Sequence, residues 1–187
     1  ISTPMNETTR AHVANICNHD RTVQTEAYYA LMAETDQPVD WAYDVWDDLI
    51  GTLTSKDSHE RSIAAQLLSN LAKSDPEQRI RRDFDALLNM TRDPKRITAR
   101  HLLWHFWKIG LVGATERQML LAGLALRFGE AGNEQYGTLL RFDIIQALRN
   151  LYDADQDEKI REKALQLIET ETDPKYRKKY AAVWKQK

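Results

Sequence analysis

The chain predicts an all-α fold, and three observations carry that prediction. Among 187 residues only 7 are Gly and 5 are Pro, so turn punctuation is sparse. Between those punctuation points the apolar residues recur at spacings of three and four rather than alternating, which is the period of a helix face. Asp75-Pro76, Asp93-Pro94 and Asp173-Pro174 each stand at the head of such a segment. There an Asp carboxylate can accept backbone N–H bonds as N-cap, and Pro is preset for the first helical position.

The elements follow in order. Residues 1–19 read as an N-terminal segment holding a capping helix, with Met5 as the natural start and Ile1 to Pro4 as an expression remnant. "ISTPMNETTRAH" has no charged start, apolar core and small-residue cleavage site, so no secretory signal is expected. Residues 20–187 form the main domain. Its first helix centres on Tyr28, Tyr29 and Met32. Asp40 to Leu53, "DWAYDVWDDLIGTL", follows with Ala42, Val45, Trp46, Leu49, Ile50 and Leu53 on one stripe. Next come Arg61 to Leu71, then Pro76 to Thr91 with Ile80, Phe84, Leu87 and Leu88 inward. In "DPKRITARHLLWHFWKIG", Ala99, Leu102, Leu103, Phe106 and Ile109 share one side and are assigned to the core. Thr115 to Phe128 is apolar or small at nearly every position from Met119 to Leu126, which predicts a central, sandwiched helix approached closely at Ala122, Gly123 and Ala125. "FGEAGNEQYG" then predicts a long turn, with Gly129 and Gly132 breaking the helix. Helices from Arg141, over Gln156 to Thr170, and from Arg177 to Trp184 complete the chain.

These segments repeat. Arg61, Ala64, Leu67, Leu68 and Leu71 fall over Arg96, Ala99, Leu102, Leu103 and Phe106 at an offset of 35. Arg141 follows at 45, with Leu148 and Leu151 over Leu103 and Phe106, and Arg177 follows at 36. Tyr28, Tyr29 and Met32 precede Leu67, Leu68 and Leu71 at 39. Two helices per period of about 35–45 residues mean that each hairpin buries its apolar face by stacking on its neighbours. Over residues 20–187 the chain resembles the HEAT-repeat family, including its short bacterial members. That resemblance implies a right-handed α-solenoid of about four to five hairpins, and it carries no active site of its own.

Composition bounds the function. With 42% hydrophobic and 29% charged residues the chain is globular, and no apolar run approaches the roughly 20 residues of a bilayer-crossing helix. Cys17 stands alone, so neither an internal disulfide nor a CxxC pair forms, and a reducing cytoplasm is expected. A formal charge of −2 argues against coating nucleic acid nonspecifically. The charge is uneven: seven acids and one Lys between Asp36 and Glu60, six Lys or Arg and no acid from Pro174 to Lys187. Such asymmetry suits oriented contact with a partner; it equally describes a solvated face and a basic tail.

No phosphate loop, dinucleotide fingerprint or nucleophile elbow occurs, so no catalytic residue and no cofactor is assigned. His101 and His105 stand at i and i+4, but Leu102 occupies the place of the water-activating Glu and no third ligand follows, so surface histidines are expected and no metal site. The binding candidates are Trp41, Asp44, Asp48, Arg79 and Arg82. Asp40, Asp44, Asp47 and Asp48 fall outside the apolar stripe with Trp41 on their flank. An exposed indole beside carboxylates attracts a cation; alternatively Trp41 fills a groove between repeats above a solubilising acidic face. Arg79 and Arg82 suit phosphate or an acidic peptide, or pair with the acids of the preceding hairpin.

Two functions compete. The first is a non-enzymatic scaffold that holds a protein or peptide along a concave face built by the second helices. The second is a nucleic-acid reader, for the repeat and its isolated Trp, Asp and Arg residues are similar to those of HEAT-like DNA-alkylation-repair glycosylases. That likeness implies Trp41 against a cationic base and Asp44 or Asp48 stabilising charge on the sugar.

Overall fold

The computed structural model describes residues 4–185, so the stretch read as a remnant, Ile1 to Pro4, lies outside the described residues except for Pro4. The all-α expectation holds: ten α-helices joined by short turns and 3-10 segments, with no β-strand among the described residues. Backbone contacts divide the chain into two compact units, the first ending at Leu102 and the second beginning at Leu103.

The first unit contains α1 (Glu7–Asn15), α2 (Arg21–Thr35), α3 (Ala42–Thr52), α4 (Ser58–Leu71), α5 (Arg79–Leu88) and the start of α6 (Arg96–Phe106). Helix α1 packs on α2, and both α2 and α3 pack on α4. Capping explains the starts: Asn6 accepts the Thr9 N–H, Asp20 those of Thr22 and Val23, and Asp57 those of His59 and Glu60. Every residue of α4 from Ser62 to Leu71 is buried, so this helix is covered on all sides. Its polar positions are satisfied internally. Asn70 donates to Met32 O and Thr35 Oγ1, and Tyr28 donates to Gln66 Oε1 at 2.6 Å.

The second unit takes the rest of α6, then α7 (Ala114–Ala131), α8 (Gly137–Asp155), α9 (Glu158–Glu169) and α10 (Pro174–Val183). Here α8 packs on α7 and α9, α7 also reaches α9, and α10 packs on α8 and α9. Leu120, Leu124, Phe128, Ile144, Ile145, Leu148, Leu151 and Ile160 are fully enclosed. The segment containing Ala99, Leu102, Leu103, Phe106 and Ile109 is core as read from the sequence.

Three details differ from the sequence reading. Asp173-Pro174 does start a helix as cap and first residue, but α5 begins only at Arg79 and α6 only at Arg96. Asp75 instead reaches forward, its two carboxylate oxygens accepting the Arg79 and Ile80 N–H groups, while Gln78 turns through φ 58°. Helix α7 is not sandwiched on all sides, since Ala122 is exposed and Leu126 is 54% exposed. Gly129 does not break α7, which continues to Ala131. Arg127, fully buried, then pulls the following turn inward through ion pairs to Glu130 and Glu134 at 2.7 and 2.6 Å.

The recurring Arg also gains a role. Arg61 pairs with Asp93 at 2.7 Å, Arg21 with Asp57 at 2.9 Å and Arg141 with Glu171 at 2.6 Å. Each joins the first turns of one helix to an acid just before the helix two further along, and only Asp93 of these acids belongs to an Asp-Pro pair.

Candidate functional site

The five residues singled out from the sequence do not form one site. Trp41 is 3% exposed, which rules out the exposed-indole reading and leaves the alternative of a ring packed into a groove. It occupies the N-cap position of α3 with no side-chain capping bond, and its Nε1 has no hydrogen-bond partner. A ring so enclosed offers no face to a cation or a base.

Arg79 and Arg82 come together, and both meet carboxylates. Arg82 reaches Asp47 at 3.0 Å and Asp83 at 2.8 Å; Arg79 reaches Glu77 at 3.1 Å and Asp47 at 4.0 Å. Asp47 of α3 thereby bridges to α5. The guanidinium of Arg79 lies 3.8 Å over the Tyr43 ring. Trp46 Nε1 donates to Asp83 at 2.9 Å, and Tyr43 donates its hydroxyl to Asp75. The titrations agree with this closed network. Burial pushes the Tyr43 hydroxyl up to about 12, aided by its bond to Asp75. At Asp83 burial works the other way, yet the bonds from Arg82 and Trp46 hold the carboxyl below its usual range. Two arginines so committed are not waiting for phosphate. Their partner is the preceding hairpin, through Asp47.

Asp44 and Asp48 differ. Both are exposed on α3, one turn apart, and with Asp40 they make no ion pair among the described residues. They edge a groove of about 490 Å³ shared with α1, lined also by Arg10, Val13, Ala14, Ile16, Val45, Leu49 and Thr52. Its floor is apolar and fixed: Ile16, Val45 and Leu49 are each 5% exposed or less. Cys17 stands on the rim, and partial burial with a hydrogen bond to Glu60 pushes its thiol up to about 11. The groove is open, so it suits a side-chain row better than an enclosed small molecule. Sequence reasoning found the carboxylates but missed α1, whose contribution carries no motif. Its one signal is the apolar pair Val13 and Ile16 at a spacing of three.

The histidines are half-buried rather than on the surface. His101 Nδ1 lies 2.6 Å from Ser62 Oγ, and Gln66 Nε2 donates to the same oxygen at 3.0 Å. The two contacts hold the imidazole against α4. Among the described residues no cluster of His, Cys, Asp and Glu is arranged to hold a metal. No helix among them is long and apolar enough to cross a membrane.

No family model and no curated protein matches the chain. Among solved structures it resembles the crystal structure of an engineered protein determined by the Northeast Structural Genomics Consortium, at a TM-score of 0.55 and 20% identity. The match covers 96% of this chain and 78% of that one. The likeness is one of fold. It supports an all-α architecture across nearly the whole chain and says nothing of a ligand.

Proposed function

We propose that the chain is a non-enzymatic protein-binding scaffold, a right-handed HEAT-like solenoid whose second helices present the binding face. Stacked hairpins place each helix against the one two further along the chain. That pattern occurs within each unit, α2 with α4 in the first, α7 with α9 and α8 with α10 in the second. A cytoplasmic setting belongs to the same proposal, argued from the lone Cys17.

One observation carries the reading. Helix α3 spends Asp47 on α5 but leaves Asp44 and Asp48 exposed, and without an ion pair among the described residues, beside an open apolar groove. Charges without internal partners contribute little to folding, and like charges on one face repel. A surface that keeps them is suited to a partner of opposite sign. The nucleic-acid reading is weaker, because its base-stacking Trp41 is enclosed and its phosphate ligands Arg79 and Arg82 are engaged by carboxylates.

The test is affinity capture from native lysate with and without nuclease, comparing wild type with Asp44→Asn/Asp48→Asn. Trp41 is left intact, since truncating a buried indole would confuse binding with unfolding. A protein retained after nuclease treatment is expected. Recovery of nucleic acid alone would overturn the scaffold reading.

A further inference from the structure

We infer that the groove between α1 and α3 receives a basic amphipathic helix from a partner protein, with Asp44 and Asp48 holding two cationic side chains one turn apart. This rests on the scaffold reading and names its partner class.

Charge complementarity supplies the sign. Helix α3 contains no Lys, Arg or His, and the two carboxylates on the groove make no ion pair among the described residues. Arg10, across the groove on α1, is the only cation among the lining residues, so the partner's basic stripe is directed to the α3 side. Phosphate is disfavoured by two carboxylates against one guanidinium.

Geometry supplies the form. Asp44 and Asp48 are four residues apart, about 6 Å along the helix axis, the spacing of cations at i and i+4 on a docked helix. A helix can also present two adjacent stripes at once, apolar residues to Val13, Ile16, Val45 and Leu49 and basic residues to the rim. An extended strand sends alternate side chains to opposite faces and cannot serve floor and rim together. The groove volume of about 490 Å³ exceeds the hollows between α1 and α2, about 380 Å³, and around Tyr43 and Asp75, about 300 Å³. Rows of anchors at i, i+3 or i+4, and i+7 are how such helices seat.

Cys17 makes the idea measurable, because it is the single cysteine of the chain and lines this groove. The probe is a fluorescent helical peptide with a Leu stripe and Lys at i and i+4 beside it, read by anisotropy, with Cys17 modification followed in parallel. A Glu-for-Lys peptide and a peptide with the stripe scrambled are the controls. The expected result is binding by the Lys peptide alone, weakening with salt, and slowed modification of Cys17. Asp44→Asn/Asp48→Asn should lower affinity about tenfold with an unchanged helical signal, as loss of two rim charges implies. Equal binding by the Glu peptide, an unaffected double variant or unprotected Cys17 overturns the inference. So does salt-sensitive self-association abolished by the same variant, which would make a second copy the occupant. If the groove fails while the double variant still captures a nuclease-resistant protein, the scaffold reading stands and only its partner site moves.

Discussion

Arg61 and Asp93 show what one repeated residue contributes. The guanidinium makes two bonds to the carboxylate, at 2.7 and 3.0 Å, and the Asp93 side chain is 3% exposed. Removing Arg61 strands that carboxylate, although it still accepts the Lys95 N–H. Arg61→Met should therefore cost about 3 kcal/mol in denaturant unfolding, the low end for a broken buried pair. Trp41 offers a sharper contrast. Trp41→Ala empties a core site and should cost about 3–5 kcal/mol. Trp41→Phe removes an indole N–H that has no acceptor and should cost far less. Equal losses in the two variants would mean that Nε1 is bonded after all, and the ordering is read directly from urea midpoints.

At the level of elements, the ends of helices decide where the chain turns. Helix α8 stops at Gln156, which adopts φ 61° and returns its N–H to Tyr152 O. A left-handed residue after a helix is ordinarily Gly. The Gln156 side chain bonds only to exposed carbonyls, so little is lost by deleting it. Gln156→Gly should raise stability by about 0.5–1 kcal/mol, provided relief of backbone strain exceeds the added unfolded-state entropy. The start of α8 is the opposite case. A Cβ at Gly137 would overlap the Ala131 carbonyl oxygen, which is backbone and cannot swing aside. Gly137→Ala should consequently destabilise the turn after α7 and lower the thermal midpoint; an unchanged midpoint would show that this turn relaxes freely.

Across the whole molecule, acid should act in two stages. Burial, with Arg100 and His59 nearby, lowers the His101 pKa below its ordinary 6.5. Above that pH the imidazole is neutral folded or unfolded; below it the unfolded chain takes a proton that the folded one refuses, so stability falls until the folded value is passed. Asp57 and Asp83 are lowered from 3.8, with burial opposing and hydrogen bonds from Arg21 and Arg82 prevailing. Their contribution is present above 3.8 and is lost as pH falls through the folded values. The urea midpoint should be flat near neutrality, decline below about 6.5 and decline again below about 4. His101→Asn should remove the first decline and keep the second. What the amino-acid order determined by itself was periodic: helix content, the stripe of Ala99, Leu102, Leu103 and Phe106, and the surface position of Asp44 and Asp48. Periodicity is a local property, so it survives without knowledge of neighbours. Pairing is not local. That Asp47 rather than Asp44 would take Arg82 depends on which turn of α3 meets α5, and that Trp41 would be enclosed depends on what covers the start of α3. That α1 would supply the far wall of the groove was likewise decided only by tertiary packing, because a helix records which of its faces is apolar but not which element will cover it.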